Sequence, residues 1–170
     1  MNEAYVCDFA SPSDAPGWMR LVEAVKDNFP GLVMEDYRRV LMKNIERGSA
    51  ICVRLETEVV GALLFSTAQR TLSFLAVHPA HRRNGLAAAM VEKMLTAFPG
   101  GEEISVTTFR GDDPLGAAPR ALYMKLGFQA AELVTEFGHP CQRFVLKQPP
   151  SPKESRPERG ALKRIPGKPG

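Results

Sequence analysis

The sequence predicts a mixed α/β domain in which helices flank a central sheet of about six or seven strands. The first observation is the stretch 74–98, where an apolar strand-like run leads through a basic turn into a helical pattern. The second is a series of three strand-like runs between residues 50 and 78, joined by short polar connections. Amphipathic helical patterns, about four in number, stand around these strands and are predicted to cover the sheet.

The N-terminal part is predicted to form one strand and two covering helices. The strand spans Ala4 to Phe9, and Asp14 is a candidate N-cap for a helix that begins at Ala15. A second helix is predicted from Met34 to Arg47, and Gly48 is expected to end it.

The rest of the chain is predicted to supply six strands and two helices of the domain. The strands are predicted at Ala50–Glu56, Glu58–Thr67, Thr71–His78, Glu103–Phe109, Gln129–Phe137 and Gln142–Lys147, with a turn at Gly138-His139-Pro140 between the last two. One helix is predicted to begin at Gly85 and to stop at Pro99. A shorter helix is predicted from Pro119 to Leu126, with Gly127 as its C-terminal cap.

The basic turn at residues 82–85 has the physical features of an anion site. The first N–H groups of a helix have no intrahelical partner, and the helix dipole places partial positive charge there. Arg82 and Arg83 add formal positive charge, and Gly85 leaves room for a ligand to approach the backbone. A diphosphate would suit this turn; a solvated basic loop at the start of an amphipathic helix is the alternative.

Two blocks of the sequence resemble hallmarks of the GNAT superfamily of acyl-CoA N-acyltransferases. The string Arg82-x-x-Gly85-x-Ala87, directly after Val77-His78-Pro79, is similar to the superfamily's Arg/Gln-x-x-Gly-x-Gly/Ala motif. The second block, ALYMKLGF at residues 121–128, resembles its late helix, with a tyrosine and a closing Leu-Gly-Phe. Both blocks stand in the superfamily's order, with a strand-like run between them.

The resemblance implies a mostly antiparallel sheet and acetyl-CoA as the cosubstrate. It implies that the basic turn holds the diphosphate of the cofactor. It also implies that the last of the three strands between residues 50 and 78 offers main-chain groups to the pantetheine arm. The cofactor-binding residues expected on this basis are Leu75, Ala76, Val77, Arg82, Arg83, Asn84, Gly85, Leu86 and Ala87. Tyr123 matches the superfamily's catalytic tyrosine and would protonate the departing thiolate, since a phenol with a reference pKa of about 10 is protonated at neutral pH. A tyrosine that merely packs on its helix is the alternative.

The group that deprotonates the amine stays unassigned. Many relatives are thought to use a glutamate on the central strand or a water chain, yet the stretch 71–75 has no carboxylate. Asp112 and Asp113 could attract a cationic amine or simply form a turn. Glu35 and Asp36 are expected to complement the dipole of the second helix.

The loop before the tyrosine helix departs from the superfamily pattern. Relatives often carry an asparagine in the position that Gly116 occupies here. The resemblance therefore implies a differently shaped loop at 110–118, whereas the diphosphate turn is unchanged.

Composition predicts a globular, cytoplasmic protein. The chain has 170 residues, 44% of them hydrophobic, which suffices for one domain with a full core. No run approaches the roughly 18 apolar residues of a membrane span, and the N-terminus lacks a secretory pattern. Cys7, Cys52 and Cys141 are widely spaced and form no metal-binding pair, so we expect buried reduced thiols and no metal.

A shift in composition predicts a boundary after residue 148, with the acetyltransferase-like domain at 1–148 and a disordered, basic, proline-rich tail at 149–170. The tail has six Lys/Arg and two Glu, a net charge of +4, so the rest of the chain is near −1 of a total of +3. Its few apolar residues cannot offset chain entropy. Nucleic-acid binding is not favoured, because no aromatic residues are interleaved for base stacking.

The predicted function is N-acetyl transfer from acetyl-CoA to a primary amine of a small molecule or peptide. One alternative is a catalytically silent domain that binds acyl-CoA as a regulatory ligand, and another is an adaptor that works through the basic tail. The amine and the oligomeric state stay open, with a homodimer as one option.

Overall fold

The computed structural model describes residues 4–98 and 100–147, and these ranges contain seven strands and four α-helices. The strands are Tyr5–Phe9 (β1), Ala50–Leu55 (β2), Glu58–Ser66 (β3), Thr71–Val77 (β4), Glu103–Phe109 (β5), Gln129–Glu136 (β6) and His139–Lys147 (β7). The helices are Ala15–Val25 (α1), Met34–Arg47 (α2), Leu86–Leu95 (α3) and Ala117–Lys125 (α4). Short 3-10 turns lie at Pro12–Asp14, Lys26–Asn28 and Pro79–His81. The predicted tail lies outside the described residues.

All seven strands form a single sheet in the order β1-β2-β3-β4-β5-β7-β6. Each neighbouring pair is antiparallel except β4 and β5, which run parallel. The predicted mixed α/β class and the mostly antiparallel sheet are both confirmed.

The helices cover the two faces of the sheet in pairs. Successive side chains of a strand point to opposite faces, and each face of the sheet has its own apolar core. On one face, α1 and α2 pack against Phe74 and Ala76 of β4 and against the centre of β2 and β3. On the other face, α3 and α4 pack against Leu75 of β4, Ile104 of β5 and Phe144 of β7.

Several predicted boundaries are wrong by one residue or a few, among them those of α3, α4 and β7. Helix α4 begins at Ala117 and not at Pro119, because a proline is also tolerated at a later position in the first helical turn, where no N–H partner is needed. Helix α3 begins at Leu86, with Gly85 as its N-cap. Strand β7 begins at His139, so the hairpin turn is formed by two residues with positive φ, Phe137 (53°) and Gly138 (76°). A two-residue loop of this kind matches the twist of the paired strands.

Asp14 stands at the predicted N-cap position of α1 but does not cap the helix with its side chain. Its backbone is already helical, at φ −82° and ψ −13°, and no side-chain cap bond forms. The buried carboxylate instead accepts a hydrogen bond from the Ser11 N–H at 2.8 Å and pairs with the Arg54 guanidinium at 3.0 Å. Asp14 therefore ties the start of α1 to β2.

One buried hydrogen bond joins the two helices on the first face. The Trp18 side chain of α1 is fully buried, and its indole N–H donates to the Tyr37 hydroxyl of α2 at 2.8 Å. The Tyr37 ring packs edge-on against Phe74, with ring centroids 5.0 Å apart. This contact fixes both helices over β4.

Replacing Tyr37 with phenylalanine would remove the acceptor and leave the indole N–H of Trp18 buried without a partner. We expect the free energy of unfolding to fall by about 1–3 kcal/mol, measured by urea denaturation. Val40→Ala, at an exposed position of the same helix, serves as the control and should change it by less than about 0.5 kcal/mol. Equal stability of the two variants would contradict this account.

Candidate active site

A gap opens inside the sheet between the carboxyl ends of β4 and β5. In the described part of the chain, Thr71 and Ser105 form the one register pair that joins these strands, supported by a Ser105 N–H to Arg70 C=O bond of 3.0 Å. From there β4 continues against β3 alone, with an extra residue, Ser73, that bulges between the pairs Phe65–Leu72 and Leu64–Phe74. Because a bulge increases local twist, it helps β4 to diverge from β5.

The predicted pantetheine-contacting residues lie along this gap. The Leu75 side chain belongs to the core under α3, and Val77 packs against that core, whereas Ala76 belongs to the core under α1 and α2. Their side chains therefore point away from the plane of the sheet, and their main chain borders the gap. Main-chain N–H and C=O groups that face the gap, and not a neighbouring strand, need a hydrogen-bond partner from water or from a ligand.

The basic turn after β4 is exposed and tightly wound. Arg82, Arg83, Asn84 and Gly85 are all exposed. Arg83 has φ 66° and Gly85 has φ 75°, so the backbone adopts the left-handed conformation at two positions before α3 begins. The Arg82 Nε lies 3.4 Å from the Val77 carbonyl oxygen, which brings the guanidinium back toward the end of β4. Positive charge is thus concentrated where the strand ends.

The start of α3 presents main-chain N–H groups beside this charge. The first helical hydrogen bond runs from the Ala89 N–H to the Gly85 carbonyl at 3.1 Å, and no side chain caps the helix. The Leu86 and Ala87 side chains are buried, which holds the helix start against the sheet. This arrangement can bind an anion through main-chain donors and the helix dipole.

Two braces of the turn have no counterpart in the sequence prediction. The Tyr5 hydroxyl of β1 lies 3.0 Å from His81 Nδ1, across 76 positions of sequence, and the two rings meet edge-on. The Asn84 side-chain amide donates to the carbonyls of His81 and Arg82 at 3.0 and 3.2 Å. A contact over such a separation leaves no local pattern by which it could be recognised.

Tyr123 lies on α4, on the same face of the sheet as α3. Its side chain is only 7% exposed and packs on the rings of Phe128 and Phe144, at 5.6 and 6.4 Å between centroids. Burial raises the pKa of the phenol well above its ordinary value. Within residues 4–98 and 100–147 its hydroxyl has no hydrogen-bond partner, which is unusual for a buried polar group. The phenol can therefore serve a ligand as a proton donor.

The loop between β5 and α4 is fixed to the β6–β7 hairpin. Arg110 donates through Nε to the Cys141 carbonyl at 3.0 Å and through Nη2 to the Val134 carbonyl at 3.1 Å. Asp113 Oδ2 lies 3.0 Å from Nε2 of His139. The hydrogen bond from His139 and a second one from the Leu115 N–H lower the pKa of the Asp113 carboxyl. Sequence reasoning singled out Asp113 but not its histidine partner.

The other candidates have ordinary surroundings. Asp36 pairs with Arg39 one turn along α2, while Glu35 and Asp112 are exposed. The cysteines are free thiols, two buried and one half-buried, and burial raises the pKa of Cys52 to about 12. The described residues contain no cluster of three or more His, Cys, Asp or Glu side chains suited to a metal ion. No helix in that part of the chain is long and apolar enough to cross a membrane.

The domain thus combines two parallel strands that diverge, a basic turn and a helix start without a side-chain cap. This combination is typical of an α/β domain that binds an anionic cofactor. The sequence matches the model of the Acetyltransferase (GNAT) family over residues 18–128. The chain belongs to this family and is an acetyl-CoA-dependent N-acyltransferase, as the resemblance predicted. Among curated proteins, none matches the chain in sequence.

Solved structures share the fold at low sequence identity. An acetyltransferase of the GNAT family from Bacillus cereus ATCC 10987 is 21% identical, with a TM-score of 0.68 over 85% of this chain and 97% of that one. Naa50 from Arabidopsis thaliana, in complex with the bisubstrate analogue CoA-Ac-MVNAL, is 14% identical, with a TM-score of 0.63 over 84% and 97%. The PaiA N-acetyltransferase of Thermoplasma acidophilum, in complex with coenzyme A, is 15% identical, with a TM-score of 0.62 over 86% and 99%.

The structure gives a physical reason for glycine at position 116. A Cβ on Gly116 would lie 2.3 Å from the Arg110 carbonyl oxygen, whereas a Cβ on Gly111 in the same loop would lie no closer than 3.4 Å to a side-chain atom of Arg120. An asparagine cannot occupy this position without moving the backbone of the loop.

Gly116→Ala and Gly111→Ala form a matched pair that tests this constraint. We expect Gly116→Ala to lower the free energy of unfolding by about 1–3 kcal/mol, as overpacking against rigid atoms does. Gly111→Ala should leave it within about 0.5 kcal/mol. Thermal and urea unfolding of both variants measure the difference, and equal effects would show that the close approach is not limiting.

Proposed function

We propose that the protein transfers the acetyl group of acetyl-CoA directly to a primary amine of a small molecule or peptide, with Tyr123 as the general acid. The observation that carries the proposal is the Tyr123 hydroxyl, which is buried and protonated, and which has no hydrogen-bond partner among residues 4–98 and 100–147. It lies on the face that also bears the basic turn. A buried donor of this kind suits the sulfur atom of a thioester, which becomes a thiolate as the acyl group leaves.

The cofactor would lie along the features that border the gap. Arg82, Arg83 and the N–H groups of Leu86 and Ala87 would hold the diphosphate, with Asn84 and Gly85 shaping the turn. The pantetheine arm would pair with the main chain of residues 75–77 in place of the missing β5 partner. These contacts would direct the thioester into the gap, where it is held still for attack.

The chemical step is a direct exchange. The neutral amine nitrogen attacks the thioester carbonyl carbon, the C–N bond forms, and the C–S bond breaks. The departing thiolate takes the proton of the Tyr123 hydroxyl, the acylated nitrogen releases one proton to solvent, and the tyrosinate regains a proton from solvent. The products are the N-acetylated amine and free CoA. The bisubstrate analogue bound to the Arabidopsis enzyme supports keeping a peptide amine among the acceptors.

Tyr123→Phe tests the acid role. We expect kcat to fall by about 10²-fold, with the Kd for CoA changed by less than about twofold. Turnover is measured by thiol release with a panel of primary amines: a polyamine, an amino sugar, an arylalkylamine and a pentapeptide with a free α-amine. Met124→Leu, at the exposed neighbouring position, is the control. A variant as active as the parent at all pH values would remove the acid role.

The raised pKa of Tyr123 has a consequence for the pH profile. A phenol whose pKa lies above its reference value of about 10 stays protonated to higher pH, so kcat of the parent should show no alkaline loss below about pH 9. Stopped assays of thiol release between pH 6 and about pH 10 measure this. A decline that begins near neutrality and is absent in Tyr123→Phe would contradict it.

Arg82→Ala and Arg83→Ala test the diphosphate turn. Loss of one charged hydrogen bond should raise the Kd for CoA by about 10- to 100-fold in calorimetry. Binding of pantetheine, which lacks the diphosphate, should be unchanged by either substitution. Arg38→Ala, an equal loss of charge at an exposed position of α2, should leave both affinities unchanged. An equal loss of affinity for CoA and for pantetheine would contradict the assignment of the diphosphate to this turn.

Binding of CoA without turnover of any amine in the panel would indicate a silent acyl-CoA-binding domain.

A further inference from the structure

The face of the sheet opposite α3 and α4 is only half covered. Helices α1 and α2 pack over β2, β3 and β4, whereas Thr107, Phe109 and Arg143 of β5 and β7 are exposed or half-exposed on this face. If acetyl-CoA enters the gap from the side of α3, its pantetheine arm blocks access to the thioester carbonyl carbon from that side. An amine must then attack from the half-covered face.

A histidine and a carboxylate lie on that face at the carboxyl end of β5. His139 begins β7, and its ring meets the ring of Phe109, the last residue of β5, edge-on with centroids 4.8 Å apart. Its Nε2 lies 3.0 Å from Asp113 Oδ2. Adjacent strands are about 5 Å apart, so the imidazole lies one strand away from the gap.

Arg110 also joins the loop to the hairpin, through the Cys141 and Val134 carbonyls, so the pair is not the sole tie between them. The His139 side chain remains 45% exposed, so a ligand can reach it. Within the described residues its Nδ1 has no hydrogen-bond partner. With Nε2–H donated to Asp113, the Nδ1 lone pair is free, which is the arrangement of a histidine base oriented by a carboxylate.

We propose that His139, oriented by Asp113, is the base that removes the proton from the acceptor amine; this rests on the acyl transfer proposed above. The ammonium N–H proton passes to Nδ1 of His139, directly or through one water, and the freed nitrogen lone pair forms the C–N bond. The electron pair of the C–S bond leaves with the sulfur, which is protonated by Tyr123. The second proton, which the acylated nitrogen loses, restores the Tyr123 hydroxyl through solvent. The imidazolium then returns its proton to solvent. This assignment supplies the base that β4 lacks.

The charges around the imidazole suit this cycle. Asp113 faces it from the β5–α4 loop, and Glu136 is its register partner across the hairpin. Asp113, which contacts the ring directly, compensates the positive charge of the imidazolium that forms during the reaction. The Arg110 guanidinium, which is held on the Val134 and Cys141 carbonyls, opposes it. The exposed Asp112 adds negative charge to the same loop.

His139→Gln separates a base from a structural tie. The glutamine side-chain amide can still donate to Asp113, but it has no basic nitrogen. With the amine of the panel that the parent acetylates best, we expect kcat/KM at pH 7 to fall by about 10²- to 10³-fold. The acid limb of the pH profile should no longer reflect the imidazole, and activity should instead rise at higher pH as the free amine becomes abundant. The Kd for CoA and the melting temperature should stay near those of the parent.

Asp113→Asn and Glu136→Gln complete the test. We expect Asp113→Asn to lower kcat/KM by about tenfold, because the imidazole loses the carboxylate that orients it and compensates its charge during the reaction. Glu136→Gln, an equal loss of charge on the same hairpin, should change kcat/KM by less than about twofold.

Unchanged kcat/KM and an unchanged acid limb in His139→Gln would overturn the proposal and leave the pair as a structural tie. Absence of turnover in the parent with every amine of the panel would instead overturn the acyl transfer on which it rests. The two failures are therefore distinguishable.

Discussion

The divergence of β4 from β5 is the constraint on which the rest of the structure depends. In a continuous sheet each strand satisfies its main-chain groups by pairing on both sides. In the part of the chain that the structure describes, β4 pairs only with β3 beyond the Thr71–Ser105 pair. The groups left along the gap need a partner, and a polar, extended ligand arm meets that need. The bulge at Ser73, the basic turn and α3 all lie on the strand that borders this opening.

The two faces of the gap carry different chemistry. On the α3 and α4 face, Leu86 and Tyr123 pack into one core, which positions the start of α3 and the Tyr123 phenol on the same side of the sheet. On the other face, the cover that α1 and α2 provide extends as far as β4. The carboxyl end of β5 and the start of β7 remain accessible there. A reaction that joins two substrates can then keep the cofactor on one side of the sheet and the acceptor on the other.

The sequence was informative wherever function and structure are local. Apolar periodicity placed every strand and helix of the described part within a few residues, and the strand, basic turn and helix at 74–98 followed from adjacent residues alone. Errors arose where one residue has two roles: Pro119 fits several positions of a first turn, and Asp14 stands at a cap position but pairs with Arg54. Gly116 was recognised as a departure, yet its cause, the Arg110 carbonyl, is visible only in three dimensions.

The remainder could not be predicted because it depends on contacts between distant segments. The Tyr5–His81 brace and the Asp113–His139 pair join residues that share no local pattern. The parting of β4 and β5 is likewise a property of strand pairing, and no single strand's composition encodes it. The resemblance supplied the cofactor and the proposed catalytic tyrosine, whereas the proposed acceptor face could be identified only from the strands that α1 and α2 leave uncovered.

A crystal structure of the protein with CoA bound tests the central claim most directly. The account predicts that the diphosphate lies on the N–H groups at the start of α3, next to Arg82, that the pantetheine arm lies between β4 and β5, and that the sulfur lies within hydrogen-bond distance of the Tyr123 hydroxyl. CoA bound elsewhere, or a sulfur directed away from Tyr123, would contradict it.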